Sequence, residues 1–352
     1  MTRKALFLAA LLPAYCLCPA ADIATLFRAR ITGISHVALW VADLGKSRAF
    51  YSGYLGFGEP YTLRNADGGI SITWMKVNDR QSVELFPLEG KKPAEGDSLY
   101  HVALQTDDAQ GMLDYLRSRG VKAPGGKPLP VTAKAGRIGN LNYFTEDPDG
   151  HIVEFTQYMP GGWTAGKAGQ FMPPGRIATR MSHAGVTVGN LEASLRFYRD
   201  ILGFREFWRG SSDGKTLSWV NLRVPEGDDY IELMLYVTKP DTGRLHILNH
   251  ICLEVPDAAA AQNVLGTRVL PEGCKATNPV RTGVNRKRQV NCYDPDGTRV
   301  EVMEADTVDG KPALSSEAKW GSKASESWVW HGVTSPATIK EEAGSTPRWT
   351  LR

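Results

Sequence analysis

The sequence repeats itself at a spacing of 147 residues, and this repeat constrains the fold more than any other feature. Residues 34–57 (ISHVALWVADLGKSRAFYSGYLGF) align without a gap with residues 181–204 (MSHAGVTVGNLEASLRFYRDILGF). The stretches EDPDGHIVEF and YDPDGTRVEV, which begin at Glu146 and Tyr293, are also 147 residues apart. Because a long internal repeat marks a duplicated structural unit, the chain is predicted to be a tandem duplication.

The length of 352 residues fits two domains of ordinary size. The first domain is predicted over residues 31–160 and the second over residues 178–306, with the glycine- and proline-rich residues 161–177 as an exposed linker. Residues 307–352 lose the repeat and are predicted to form a polar tail whose tryptophans could hold it against the domains. His331 in this tail is interpreted as structural or exposed.

Residues 1–20 have the three-part layout of a secretory signal peptide, with the charged MTRK, the apolar ALFLAALLPAY and the small residues CPAA. The apolar run is too short to span a bilayer, and an uncleaved N-terminal anchor is the alternative. We therefore expect an exported protein, periplasmic or extracellular, cleaved after Ala20. Cleavage leaves three cysteines, Cys252, Cys274 and Cys292, which are too few for a disulfide framework. Of these, Cys252 and Cys292 are expected to be buried in strands.

Each half contains the same series of elements twice. In the first half, the strand SHVALWV leads into a helical stretch that Asp43 can cap and Gly56 can end. The alternating runs ISITWMKV and SVELFPL then favour half-buried strands. The second quarter repeats this order with YHVALQT, the helix AQGMLDYLRSRG and a hairpin around DPDG. The sequence thus predicts an α+β fold of four βαβββ modules.

A histidine in the opening strand and a glutamate in the closing strand recur in every module. The glutamates stand among apolar residues, in VELF, VEFT, IELM and VEVM, where a carboxylate is costly to bury without a compensating charge. A single strand histidine is ordinarily a hydrogen-bonded core residue, but four matched pairs favour a shared chemical role. The pairs are His36 with Glu84, His101 with Glu154, His183 with Glu232, and His250 with Glu301.

Imidazole nitrogens and carboxylate oxygens are ligands for divalent transition metals. Two histidines and two glutamates suit a six-coordinate Zn, Ni, Co, Mn or Fe(II) ion with water in the two open positions. All eight residues are therefore candidate metal ligands, in up to two sites. Cys252 lies two residues after His250 and on the same strand face, so it is expected to be a buried apolar residue or to lie near the metal.

These features together resemble the vicinal-oxygen-chelate superfamily of glyoxalases, bleomycin resistance proteins and dioxygenases. The resemblance covers about residues 31–306 and rests on FYSGYLGF and FYRDILGF, on the two DPDG hairpins and on the His/Glu series. It implies two tandem domains in which βαβββ modules pair around a divalent metal. The complete His, Glu, His, Glu order is most similar to glyoxalase I, including its double-length single-chain forms. Dioxygenases of the superfamily typically use two histidines and one glutamate.

The resemblance implies a divalent-metal-dependent lyase or isomerase, similar to lactoylglutathione lyase, that acts on a small hydroxycarbonyl or thiohemiacetal through a metal-stabilised enediolate. Glu154 or Glu301 would shuttle the proton between adjacent carbons. Two alternatives stay open, an Fe(II)-dependent extradiol-type dioxygenase and a non-catalytic resistance-type protein that sequesters a small ligand. Glyoxalase I binds glutathione through residues that stand four positions after its first and second metal ligands. In this chain the positions after the first ligand hold Trp40 and Thr187, and those after the second hold Leu88 and Tyr236.

The series does not fix which modules share a site, because every module offers the same two ligand types. Neighbouring modules would join His36 and Glu84 to the second module, whereas a crossed arrangement would join them to His250 and Glu301 of the fourth. The double-length glyoxalases favour the crossed arrangement. Because either arrangement provides partner surfaces within one chain, a monomer is expected.

Basic residues ahead of two closing strands are candidates for binding an anionic substrate. The loop VRTGVNRKRQV contains Arg281 and Arg286, and its first-half counterpart KAGRIGN contains Arg137. A solvated basic hairpin is the alternative. The net charge of +3 does not indicate nucleic-acid binding. No segment after the first 20 residues is apolar enough to span a membrane. The expected partner is therefore a small molecule.

Overall fold

The computed structural model describes residues 26–90, 96–240 and 244–321. Within them, each half of the chain forms one eight-stranded mixed sheet, and both sheets have the same strand order. The four βαβββ modules predicted from the sequence are present, two in each sheet. The predicted signal peptide, with Cys16 and Cys18, lies outside the described residues, as does His331.

The first sheet has the order β2-β3-β4-β1-β5-β10-β9-β8, and a separate ribbon pairs β6 with β7. The strands of the first half are β1 (Ile31–Val41), β2 (Thr62–Arg64), β3 (Ile70–Lys76), β4 (Ser82–Pro87), β5 (Leu99–Thr106), β6 (Lys122–Ala123), β7 (Lys127–Pro128), β8 (Lys134–Ala135), β9 (Asn140–Glu146) and β10 (Ile152–Tyr158).

The second sheet has the order β12-β13-β14-β11-β15-β18-β17-β16. Its strands are β11 (Arg180–Val188), β12 (Arg205–Ser211), β13 (Leu217–Arg223), β14 (Tyr230–Leu235), β15 (His250–Val255), β16 (Arg281–Thr282), β17 (Lys287–Tyr293) and β18 (Arg299–Thr307). The α-helices are α1 (Leu44–Arg48), α2 (Ala109–Ser118), α3 (Trp163–Gly166), α4 (Leu191–Leu195), α5 (Leu245–Leu248) and α6 (Ala258–Gly266). No helix of the described residues is long and apolar enough to cross a membrane.

Neighbouring modules join edge to edge within each half. Strand β1 pairs in parallel with β4 of its own module and antiparallel with β5 of the next module. Strand β11 pairs in the same way with β14 and β15. The crossed arrangement expected from the double-length glyoxalases is therefore wrong for this chain. The reason is that the β1–β5 and β11–β15 pairings complete each central sheet from two modules that are consecutive in sequence.

The helical stretch after β1 begins and ends where predicted, but its second part is wider than an α-helix. The side chain of Asp43 accepts a hydrogen bond of 3.0 Å from the backbone N–H of Lys46, and Gly56 ends the stretch with a φ of +86°. Between them, α1 continues as a π-helix over Ala49–Tyr54, in which Tyr51 is fully buried. Because a π-helix has a longer hydrogen-bonded turn, a periodicity of 3.6 residues cannot predict it.

Each half contacts the other through its DPDG hairpin. The hydroxyl of Tyr51 donates to Asp294 over 3.0 Å, and the hydroxyl of Tyr198 donates to Asp147 over 2.9 Å. Both tyrosines belong to the repeated Phe-Tyr pair, and both aspartates begin a DPDG sequence, so the contact is made twice in opposite directions. The hairpins therefore position the two halves in addition to forming turns.

The segments outside the two repeats also pack against the sheets. The ammonium group of Lys76 donates to the carbonyl oxygens of Lys167 and Gln170, at 2.6 and 2.9 Å, and so anchors the 161–177 segment to the first half. The described part of the C-terminal tail lies along the second half, where Lys319 forms a β-bridge with Thr216.

The buried Asp294 makes stability depend on pH. Burial raises its pKa to about 7, and the neighbouring Asp296 adds to the effect. Because the folded-state pKa exceeds the unfolded value, the stabilisation is complete below about pH 4 and is lost as the pH rises through about 7. One pKa unit corresponds to about 1.4 kcal/mol. We therefore expect the free energy of unfolding of the metal-free chain, measured by urea titration, to fall more steeply between pH 5 and pH 7 than in Asp294→Asn. Equal slopes would contradict this assignment.

Candidate metal centres

Four buried side chains of the first half meet on one face of the sheet. The Nε2 atoms of His36 and His101 lie 3.0 Å apart, and one oxygen of Glu154 lies 3.2 and 3.0 Å from them. The carboxylate of Glu84 approaches the same two nitrogens at 3.3 and 3.8 Å. Each of the four residues is at most 5% exposed. We call this group the first site.

The second half repeats the arrangement in what we call the second site. The Nε2 atoms of His183 and His250 lie 3.1 Å apart, and an oxygen of Glu301 lies 3.3 and 3.6 Å from them. Glu232 stands 3.9 and 3.5 Å from the same nitrogens. All eight residues singled out in the sequence are thus brought together, in two groups of four from neighbouring modules.

Strand register explains this convergence. Ala38 of β1 is flanked by Glu84 on β4 and by His101 on β5. Side chains at directly paired positions project from the same face of a sheet, so both ligand candidates lie on either side of one small methyl group. Gly185 occupies the equivalent position in the second half. The small residue leaves space between the ligands in each case.

The glycine at position 185 is required by the ring of His250. A Cβ at this position would lie 2.0 Å from Cε1 and 2.1 Å from Nδ1 of that ring. Gly185→Ala is therefore expected to displace His250 and to weaken Co(II) binding at the second site by roughly tenfold or more. The first site, which has Ala38 at this position, should be unaffected. Isothermal titration checks this, and two unchanged binding steps would contradict it.

The charges and spacing of the first site fit a divalent cation. Burial lowers the pKa of His36, but Glu84 and Glu154 outweigh it and raise that pKa. Burial raises the pKa of Glu84, whereas the two histidines outweigh burial at Glu154 and lower its pKa. Buried carboxylates need a counter-charge. Donor atoms 3.0 Å apart are spaced as adjacent ligands of an ion about 2.1 Å from each.

Further side chains hold the ligand candidates in place. The indole N–H of Trp74 donates to Glu84, and the amide of Asn142 donates to Glu154 over 2.9 Å. The hydroxyl of Ser35 lies 2.9 Å from Nδ1 of His36, which leaves Nε2 facing the site. Such contacts orient metal ligands and tune their basicity. No specific feature of the sequence indicates these contacts.

Each site opens into its own cavity. The first has a volume of about 200 Å³ and is lined mainly by apolar and aromatic side chains, among them Trp74, Phe86, Tyr100 and Phe144. The second has a volume of about 240 Å³ and has more polar walls, which include Trp208, Trp219, Arg281, Gln289 and Arg299. A larger cleft of about 580 Å³ lies between the two halves and is lined by none of the eight ligand candidates.

The three arginines predicted to bind substrate differ in placement. Arg137 lines the first cavity, where its guanidinium donates to the carbonyl oxygen of Arg64 over 2.6 Å. Arg281 lines the second cavity. Arg286 lies in the hairpin turn, forms an ion pair with Asp309, and does not line that cavity.

Arg299 lines the second cavity and was missed in the sequence. It lies two residues before Glu301 in TRVEV, where the first half has Ile152 in HIVEF. Residues two apart in a strand share a face, so a comparison of the two halves at each position would have identified it.

Cys252 is both buried and adjacent to the second site. It is fully buried, and it pairs in register with His183 on β11 and Glu301 on β18. The expected burial of Cys252 is therefore confirmed, and its place beside a metal stays a prediction. Cys252, Cys274 and Cys292 are free thiols, and Cys292 is also fully buried.

Each half is a curled sheet of two βαβββ modules around buried histidines and glutamates. This combination is typical of proteins that bind a divalent metal between paired modules. A sequence model of the Glyoxalase/Bleomycin resistance protein/Dioxygenase superfamily matches residues 33–155 and 180–302. The chain belongs to this superfamily.

Relatives and solved structures include several enzyme types. The chain is 31% identical to a lactoylglutathione lyase of Haemophilus influenzae over 131 residues, which are 35% of this chain and 91% of that protein. It is 29% identical to the mitochondrial methylmalonyl-CoA epimerase of Bos taurus over 135 residues, 35% of this chain and 73% of that one.

Among solved structures, a Mn(II)-bound glyoxalase from Novosphingobium aromaticivorans is similar with a TM-score of 0.59 and 19% identity, over 88% of this chain and 94% of that one. An extradiol ring-cleaving dioxygenase from B. fuscum has the same TM-score and identity, over 84% of this chain and 77% of that one. At this identity the likeness establishes the fold alone.

Proposed function

We propose that the protein is a divalent-metal-dependent lyase or isomerase that acts on a small hydroxycarbonyl or thiohemiacetal. The proposal is carried by the two carboxylates that accompany two imidazoles in each site. Two histidines and one carboxylate are enough to hold a divalent ion with open positions. The other carboxylate is then available as the base that proton transfer requires. Relatives named lactoylglutathione lyase and methylmalonyl-CoA epimerase support this class of reaction.

In the first site, His36, His101 and Glu84 would hold the metal and Glu154 would move the proton. A bound divalent ion supplies Lewis acidity that polarises a substrate carbonyl. Asn142 fixes one oxygen of Glu154, and the other oxygen is directed into the site, 3.0 Å from Nε2 of His101. This second oxygen would accept a proton from the carbon beside the carbonyl and return it to the adjacent carbon. Glu301 would have the same role in the second site.

An Fe(II)-dependent dioxygenase is the second candidate, and the geometry of the second site favours it specifically. His183, His250 and Glu301 offer ligand atoms within 4.8 Å of one another. Two histidines and one carboxylate form the facial triad of non-haem Fe(II) oxygenases. Glu232 stands farther from His183, at 3.9 Å.

The test is reconstitution of the metal-free protein with Zn, Ni, Co, Mn or Fe(II) in turn. Each form is incubated in D₂O with hydroxyacetone, or with methylglyoxal and glutathione, and deuterium incorporation and product are followed by NMR. Each form is also given catechol while dioxygen is monitored. Metal-dependent deuterium exchange or product formation supports the lyase or isomerase. Dioxygen uptake that requires Fe(II) supports the dioxygenase. Tight ligand binding without either reaction would identify a non-catalytic binding protein.

We also propose that the mature protein is an exported monomer that acts on an anionic substrate. The signal-like layout of residues 1–20 supports export, and the pairing of modules within one chain supports a monomer. Arg281 at the second cavity supports an anionic substrate. Mass spectrometry should find a mature chain that begins at residue 21, and light scattering should give the mass of one chain.

A further inference from the structure

The main chemical difference between the two sites is Arg299. Its Nη2 atom lies 2.7 Å from Nδ1 of His250, and the side chain lines the second cavity. The equivalent position of β10 in the first half holds the apolar Ile152. The rims of the two cavities do not differ in this way, because Arg281 lines one and Arg137 the other.

The guanidinium of Arg299 has unused hydrogen-bonding capacity. Nδ1 of His250 also lies 2.7 Å from the carbonyl oxygen of Leu248. When that nitrogen donates to Leu248, it cannot accept a hydrogen bond from Arg299. The buried Nε of Arg299 has no hydrogen-bond partner within the described part of the chain. A partly buried cation with an unmatched buried donor favours an anionic acceptor.

The carboxylates of the second site do not satisfy Arg299 at close range. Glu232 and Glu301 make their ion-pair contacts below 4.0 Å with the two histidines of the site. The charge of Arg299 is therefore not neutralised by a direct ion pair with either carboxylate.

The two sites differ in formal charge once metal is bound. Two carboxylates balance one divalent ion in the first site, whose cavity is lined by Trp74, Phe86 and Phe144 and has Arg137 at its rim, as the second cavity has Arg281. The second site has the same balance plus the charge of Arg299. In a cavity of low dielectric constant, one uncompensated charge is a strong determinant of which ligand binds.

We propose that the two sites bind different substrates: the first an uncharged vicinal-oxygen compound, and the second a compound that also carries a carboxylate, which Arg299 binds. This inference rests on the proposed function, since it requires a metal in each site. The duplication would thus have produced two specificities in one chain.

Two probes that differ in one group test the inference. 4-Methylcatechol and 3,4-dihydroxybenzoate present the same pair of chelating oxygens, and only the latter has a carboxylate. Each is titrated calorimetrically into Co(II)-loaded full-length protein with a single working site, using His36→Ala to leave the second site and His183→Ala to leave the first. We expect 3,4-dihydroxybenzoate to bind the second site at least about tenfold more tightly than the first, the usual effect of one charge-assisted hydrogen bond.

Exchange of the distinguishing residue provides matched variants. Arg299→Ile should weaken 3,4-dihydroxybenzoate at the second site by about tenfold or more and leave 4-methylcatechol within about twofold. Arg299→Lys, which keeps the charge, should retain most of the preference, and Ile152→Arg should create one in the first site.

The outcomes separate this inference from the proposed function. Absence of Co(II) from both sites would overturn both. If Co(II) is bound but the sites do not discriminate between the probes, or if Arg299→Ile keeps the preference, only the division of specificity is overturned. Equal weakening of both probes in Arg299→Ile, with Co(II) retained, would also overturn it, because the arginine would then support the site without recognising the carboxylate.

Discussion

Replacing Glu154 with glutamine is expected to lower kcat of the first site by roughly 10²- to 10⁴-fold, the usual contribution of a positioned general base. Glutamine preserves the shape of the side chain and can still accept from Asn142, which donates to Glu154 over 2.9 Å. Unlike the carboxylate, the glutamine amide cannot accept the proton. Product formation at saturating substrate, measured in a His183→Ala background that silences the second site, gives kcat, and deuterium exchange into substrate reports the proton-transfer step. Metal should remain bound, because His36, Glu84 and His101 form a complete ligand triad.

Glu59→Gln is the matched control for this change. Glu59 lies in the same half, pairs with Arg48 and accepts a hydrogen bond of 2.6 Å from Thr73, outside both sites. Its replacement should leave kcat unchanged. If Glu154→Gln keeps metal and full kcat, Glu154 is not the base. If it loses metal, Glu154 is a required ligand, and Glu84 is then the remaining candidate for proton transfer.

The Co(II) content of two double histidine variants should distinguish the two possible pairings of modules. In the double variant His36→Ala/His101→Ala, both changes fall within one site, so one tightly bound Co(II) per chain should remain. In His36→Ala/His250→Ala, each site loses one histidine, so neither should retain tightly bound Co(II). The reason is that Nε2 of His36 lies 3.0 Å from Nε2 of His101, and that of His250 lies 3.1 Å from that of His183. Elemental analysis after gel filtration gives the metal content.

A crossed arrangement would reverse these two results, because His36 and His250 would then belong to one site. His246→Ala serves as the control. This histidine lies outside both groups, with Nδ1 2.8 Å from the carbonyl oxygen of Gly96, and its removal should leave two ions per chain.

The architecture and the eight ligand candidates could be predicted from the sequence because the duplicated modules contain the same sequence patterns. Strand alternation, the Asp43 cap and the positive φ of Gly56 act locally, so they can be identified without knowledge of tertiary contacts. The recurrence of a histidine and a buried glutamate in each module added a chemical constraint that no single pair would carry.

The pairing of modules could not be predicted in the same way. Every module offers one imidazole and one carboxylate, so a metal ion does not discriminate between partners. The choice depends on backbone edges, where β5 rather than β15 completes the sheet beside β1. The contacts of Tyr51 with Asp294 and of Tyr198 with Asp147, which join the two halves, also depend on tertiary structure that the local DPDG turn pattern does not contain.

The difference between the sites was present in the sequence but was hidden by the repeat itself. The residues that the halves share identify Glu154 and Glu301, whereas the change from Ile152 to Arg299 two residues earlier is visible only where the halves differ. In a duplicated chain, shared residues indicate the common chemistry, and residues that differ on the same strand face indicate specificity.

The central claim is that each half of the chain holds one divalent ion between its two imidazoles and two carboxylates. An anomalous difference map from crystals of the Co(II)-loaded protein tests it most directly. We predict one peak beside the Nε2 atoms of His36 and His101 and a second beside those of His183 and His250. A map with no peak at either position, from protein shown to be folded, would contradict the claim.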